Sequence, residues 1–160
     1  MAIAAGDRIP DVTLTTMTTD GPKPVRTGDV LGSGTVVLFA VPGAFTPTCS
    51  DYHLPGFVVR ADELRAKGVT TIACVSVNDA FVMGAWGASQ GVGESVVLLA
   101  DGNADFARAM GLELDGTGFG MGTRSQRYAA VVEDGVVTHL AVESGPGLEV
   151  SSADAILSVL

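Results

Sequence analysis

Six consecutive apolar residues, Val36, Val37, Leu38, Phe39, Ala40 and Val41, run into Pro42-Gly43 and then into Thr46-Pro47-Thr48-Cys49, and no other stretch constrains the chain as much. A run rich in β-branched and aromatic types, with no polar alternation, suits a strand covered on both faces of a sheet. Pro42 and Gly43 end it. Beyond the link Ala44-Phe45, Thr46 predicts a helix N-cap and Pro47 suits the first helical position. Cys49 then falls in the first turn, facing unpaired backbone N–H groups and the positive end of the helix dipole, both of which favour a thiolate. Taken alone, the same cysteine also reads as a small buried hydrophobe, the commoner state of a free thiol.

The rest of the chain supplies the frame. Asp7 to Thr15 predict an entry loop and a short strand, with Val12 and Leu14 alternating against Asp11 and Thr13. Thr18 to Gly34 reads as surface connection, with a turn at Asp20-Gly21-Pro22 and one brief edge strand over Val25 to Thr27. From Thr46 to Lys67 the pattern predicts two helical pieces parted at Leu54-Pro55-Gly56, the second with an apolar stripe of Phe57, Val58, Ala61 and Leu64. Val69 to Val77 forms a second buried strand containing Cys74. Asn78 or Asp79 caps a helix bearing Phe81, Val82, Ala85 and Trp86, which ends near Gly87 to Gly91. Ser95 to Ala100 is a third strand, and Asp101 to Met110 a turn and short helix. After the glycine-rich run GLELDGTGFGMGTRS come two strands, Arg127 to Glu133 and Val136 to Glu143, joined at Asp134-Gly135 as a hairpin. Ser151 or Ser152 caps a last helix through Ala153 to Leu157. Strands alternating with helices, then a hairpin, then a terminal helix is the order of a thioredoxin-like α/β fold: a central mixed sheet flanked by helices, with an amino-terminal extension.

With 160 residues, 47% of them hydrophobic, and neither linker nor repeat, the chain predicts one domain over residues 1–160. No apolar run approaches the length of a membrane span, and the start MAIAAGDRIPD lacks the pattern of a secretory signal, so a cytoplasmic protein is expected. A net charge of −9 has the wrong sign for a partner of nucleic acid. Two cysteines, with no C-x-x-C pair and no Cys/His cluster, offer neither a disulfide framework nor a metal site. The glycines at 116, 118, 120 and 122 precede a strand instead of opening a helix, which argues against nucleotide binding.

Pro42, Thr46 and Cys49 together reproduce P-x-x-x-T-x-x-C, and the run PGAFTPTCSDYHLPGF resembles the type II, peroxiredoxin-five-like branch of the peroxiredoxins. SVNDAFVMGAW, LADG and GTRSQRYA carry that resemblance over nearly the whole chain. It implies a thiol peroxidase in which Cys49 attacks hydrogen peroxide or an alkyl hydroperoxide and becomes a sulfenic acid. It further implies that Thr46 stands beside the sulfur, that Pro42 shields it from water, and that Arg127, just before the aromatic residue of GTRSQRY, supplies a cation. Arg124 is an outer partner of that site. No cofactor and no metal are implied.

Some members carry a resolving cysteine in the stretch matching Gly145 to Ser151, where this chain has none. Cys74, 25 residues after Cys49 and inside a strand, is poorly placed to replace it. A single-cysteine cycle is therefore expected, recycled by glutathione with glutaredoxin or by thioredoxin, in a homodimer that pairs through the end carrying Phe45, Phe81, Val82 and Met83. The competing reading is a non-enzymatic thiol redox sensor or binding module acting through Cys49. His53, four residues after Cys49, invites a hydrolytic Cys-His pair but has no orienting partner or oxyanion motif in the sequence and is set aside. His139 reads as structural or exposed.

Overall fold

The apolar run forms the middle of the sheet. In the computed structural model, which describes all 160 residues, β3 (Thr35–Val41) pairs in parallel with β4 (Val69–Ser76) and antiparallel with β8 (Tyr128–Glu133). Residues Val36 to Val41 are completely buried. Their side chains alternate between two cores, as the two-residue period of a strand requires. Val37, Phe39 and Val41 pack with Leu54, Phe57 and Trp86, while Val36, Leu38 and Ala40 pack with Leu31, Phe106 and Met110. Both sides are apolar because both are covered, and each fully buried side chain of this size contributes about 1.5–3 kcal/mol.

Around β3 the sheet has seven strands. One side continues from β4 to β5 (Val97–Ala100), then to β1 (Thr13–Thr18) and finally β2 (Gly21–Arg26), and the other runs through β8 to β9 (Val136–Val142). The first core is roofed by α2 (Leu54–Val59), α3 (Ala61–Ala66), α4 (Ala80–Ser89) and α6 (Ala153–Leu157). On the opposite face lie α1 (Thr27–Val30) and α5 (Asp105–Met110). This is the thioredoxin-like mixed sheet expected from the sequence, with the β1–β2 hairpin as its amino-terminal extension.

Local differences from the sequence reading have physical causes. β1 starts at Thr13, beyond Asp11 and Val12, and runs on to Thr18, and β2 occupies much of what reads as surface connection, with Gly21 (φ +102°) just past the Thr19-Asp20 turn. Pro22 and Pro24 would bar a central strand, but β2 is the sheet's edge, where a missing N–H costs no ladder bond. The glycine-rich run forms a separate two-stranded hairpin, β6 (Glu113–Asp115) with β7 (Thr123–Ser125), around a 3₁₀ turn at Thr117–Phe119.

The helix carrying Cys49 is not parted at Pro55. It runs from Pro47 through a π-helical turn, Cys49–His53, directly into α2, and the break comes at Arg60. In the π turn the Leu54 N–H reaches back five residues to the Cys49 carbonyl. That wider turn gives the Pro55 ring room that a regular α-helix would deny it. β8 begins at Tyr128, one residue later than expected, yet the Arg127 carbonyl still accepts from Glu143 N–H at 2.9 Å and so belongs to the ladder.

Candidate active site

Three elements converge on Cys49: the loop after β3, the π turn, and the entry to β8. The sulfur is buried, with Thr46 Oγ1 at 2.9 Å and Arg127 Nη2 at 3.0 Å. Thr46 stands where the helix starts, since its carbonyl accepts from Ser50 N–H at 3.0 Å, but its hydroxyl caps nothing. It lies 2.7 Å from the Gly43 carbonyl as well as beside the sulfur. With one hydrogen to give, the hydroxyl donates to Gly43 while a thiol donates to it, and turns toward the sulfur once that is a thiolate. Arg127 can only donate, so its contact with sulfur is a charge-assisted bond when the thiolate forms.

A cleft of about 720 Å³ opens beside these groups, lined among others by Pro42, Thr46, Thr48, Phe119 and Arg127. Pro42 is one of the residues that border the cleft. Phe119, on the separate β6–β7 hairpin, is almost fully exposed at this cleft. The loop before Cys49 is held from outside. Asn78 Oδ1 accepts from Ala44 N–H at 2.9 Å and from the Ser76 hydroxyl at 2.5 Å, while Trp86 Nε1 donates to Ser50 Oγ at 2.9 Å. Between these anchors Phe45 takes a left-handed conformation (φ +66°), uncommon for a non-glycine residue and sustained by its surroundings. Asp79, not Asn78, caps α4, accepting from Val82 N–H at 2.8 Å.

Arg124 does not reach the sulfur. Its guanidinium donates to the carbonyls of Met121 and Val77, at 2.9 and 3.0 Å, and ties the β6–β7 hairpin to the end of β4. Cys74 faces the same core as Cys49, paired across the ladder with Phe39. Burial first, and the neighbouring Cys49 second, push its thiol well above the ordinary range, so it remains a protonated apolar side chain.

The residue that sequence reasoning missed is His53. Its ring is buried against the stacked pair Phe39 and Phe57, with centroids 4.9 and 5.6 Å away. Nε2 lies 2.8 Å from the Ser151 carbonyl and Nδ1 lies 2.8 Å from Arg127 Nη1. A carbonyl only accepts and a guanidinium only donates, so the hydrogen sits on Nε2 and Nδ1 is the acceptor. One arginine fork therefore spans Cys49 and His53. The i, i+4 spacing signals that these two side chains share a helix face, but the tie to Ser151, 98 positions along the chain, leaves no mark in sequence.

Burial, reinforced by Arg127, depresses the His53 pKa from 6.5 to about 3. Between these values the unfolded chain binds a proton that the native state refuses, so stability is full above about pH 6.5 and falls as the pH drops toward 3. Stability from urea unfolding is expected to be ~1 kcal/mol lower at pH 5 than at pH 6. His53→Asn, which does not titrate, should lose most of that difference. An equal drop in the variant would assign it to other groups.

A buried thiol at a helix start, gripped by a threonine and an arginine on a thioredoxin-like sheet, defines a thiol-redox protein. Residues 4–157 match the redoxin family model. The chloroplastic peroxiredoxin-2E-2 of Oryza sativa subsp. japonica is 52% identical, over 99% of this chain and 72% of that protein. Peroxiredoxin-2B of Arabidopsis thaliana is 46% identical over 99% and 98%. The reduced Prx3 of Vibrio vulnificus, solved in complex with H2O2, superposes with a TM-score of 0.93 at 54% identity, over 98% of each chain. The chain belongs to the redoxin family, and within it is a type II peroxiredoxin, a thiol peroxidase.

Proposed function

We propose that Cys49 is the peroxide-attacking residue, with Thr46, Arg127 and Pro42 completing the catalytic set. The observation that carries this assignment is the placement of the Cys49 sulfur between the Thr46 hydroxyl and the Arg127 guanidinium, two residues that line an open cleft. The thiolate attacks one oxygen of hydrogen peroxide or an alkyl hydroperoxide. An S–O bond forms as the O–O bond breaks, sulfur is oxidised to sulfenic acid, and the departing oxygen takes up a proton and leaves as water or alcohol. Thr46 and Arg127 offer donors for the charge that moves from sulfur to that oxygen. Pro42 keeps one side of the sulfur dry.

The oxidised enzyme is resolved by an external thiol. Cys74 is buried in β4, and the Gly145 to Ser151 segment carries no cysteine, so the sulfenic acid has no partner at hand within the chain. Glutathione with glutaredoxin, or thioredoxin, restores the thiol. A reducing, cytoplasmic setting belongs to the same proposal. Intact mass after one equivalent of peroxide is expected to show one added oxygen, or a glutathione adduct when glutathione is present. A dominant Cys49–Cys74 disulfide would overturn the single-cysteine cycle.

Assembly as a homodimer is part of this reading. Phe45 and Phe81 are both more than half exposed, whereas Met83, grouped with them in sequence, is fully buried and belongs to the core. Two large exposed aromatics flanking the loop and the α4 start favour a covered surface. Sedimentation at micromolar concentration should give twice the chain mass, and Phe45→Ser with Phe81→Ser should shift it toward monomer. A monomer in both redox states would refute the pairing.

A further inference from the structure

We propose that Glu143 and His53 are positioning residues for Arg127: the Glu143 carboxylate gathers the loop before α6 so that the Ser151 carbonyl meets His53, and His53 in turn aims the arginine fork at Cys49. This rests on the assignment of Arg127 to the sulfur made above. The chain of contacts is continuous. Glu143 Oε2 accepts from the backbone N–H groups of Glu149, Val150 and Ser151 at 3.0, 2.9 and 2.9 Å, and from the Ser151 hydroxyl at 2.7 Å. Burial disfavours the Glu143 charge, but these bonds outweigh it and hold the carboxyl below its ordinary pKa. Directly after this loop, Ser152 caps α6 by accepting from Ala155 N–H at 3.1 Å, so the Ser151 carbonyl is fixed from both sides.

That carbonyl decides the tautomer of His53. With an acceptor at Nε2, the ring hydrogen stays there and Nδ1 offers its lone pair to Arg127 Nη1. In the other tautomer two donors would face one another across 2.8 Å, and the guanidinium would swing away from the sulfur. An arginine side chain has four freely turning bonds, and anchoring Nη1 is what leaves Nη2 3.0 Å from Cys49. The carboxylate therefore acts on the sulfur through a backbone carbonyl and an imidazole, without touching it.

The test uses two substitutions that each keep half of the imidazole. In His53→Asn the side-chain oxygen stands near the position of Nδ1 and can accept from Arg127, whereas in His53→Gln the amide reaches the position of Nε2 and serves Ser151 alone. His53→Asn is expected to react with peroxide within about threefold of the parent and His53→Gln about tenfold or more slower. Glu143→Ala is expected to be about tenfold slower. Because the chain has two histidines, ring ¹⁵N spectra read the tautomer of His53 directly. The parent should show Nε2–H alone, and Glu143→Ala a mixture. Where Glu143→Ala does not fold, Glu143→Gln carries the same readouts with smaller changes. Equal rates for the two His53 variants, or a single Nε2–H tautomer with parental rate after loss of the carboxylate, would overturn the relay. Arg127→Gln separates the two levels. If it reacts at the parental rate, the assignment of Arg127 itself fails; if it is slow while the His53 variants match, the relay alone fails.

Discussion

Cys49→Ser is expected to reduce peroxide consumption to the uncatalysed background, a loss of at least about 10³-fold, while leaving the fold intact. A serine hydroxyl is nearly isosteric with the thiol and finds the same neighbours, Thr46 Oγ1 and Arg127 Nη2, but it does not ionise near neutral pH and is a poor nucleophile toward a peroxide oxygen. Cys74→Ser supplies the contrast. Its hydroxyl would be enclosed in β4 among apolar neighbours, at a cost of about 1–3 kcal/mol in stability, with turnover per folded molecule unchanged. A coupled assay with thiol reductant, run beside thermal melts, reads both effects. Full activity in Cys49→Ser would refute the assignment of the attacking thiol, and loss of turnover in folded Cys74→Ser would make Cys74 a participant.

Arg127→Gln is expected to slow the reaction with hydrogen peroxide by about 10²-fold, measured as the second-order rate in single turnover. The guanidinium is almost wholly buried, where a charge-assisted bond to sulfur is screened far less than at the surface. It also lines the cleft and so, on the proposed assignment, would serve both the thiolate and the charge passing to the leaving oxygen. Arg127→Lys should recover only a small part of the rate, because a single ammonium cannot reach Cys49 and His53 with the spacing of a planar fork. A lysine variant within threefold of the parent would show that charge alone is sufficient. Removing the arginine also removes one of the two causes that hold His53 neutral, so in Arg127→Gln His53 should titrate at a higher pH than in the parent.

Much of this site is legible in the sequence because it is local. The buried strand, the Pro-Gly stop and the helix start lie within fourteen residues, from Val36 to Cys49, and their physical requirements place the thiol. Arg127 is distant in sequence, and only the resemblance to a family points to it; no spacing argument brings it to the sulfur. What could not be read are contacts that use main-chain atoms, since every residue has a carbonyl. Ser151 meets His53 through its backbone, and Arg124 is held by two carbonyls. The fold shows the same division. Alternation of strands and helices reveals the sheet, while β2, written with two prolines, contradicts strand propensity and becomes a strand through its edge position.

Those prolines also bear on how copies of the chain can meet. An open sheet ends in two rows of backbone groups, each a template onto which another chain's strand can add, and repetition of that step yields fibres. At the β2 end, Pro22 and Pro24 remove two donors from a six-residue strand. At the other end the first residues of β9 are already occupied, with Gly6 N–H donating to Val137 and Val137 N–H to Asp7. Neither border offers a full-length strand for recruitment, so growth by adding strand to strand is blocked at both ends of the sheet.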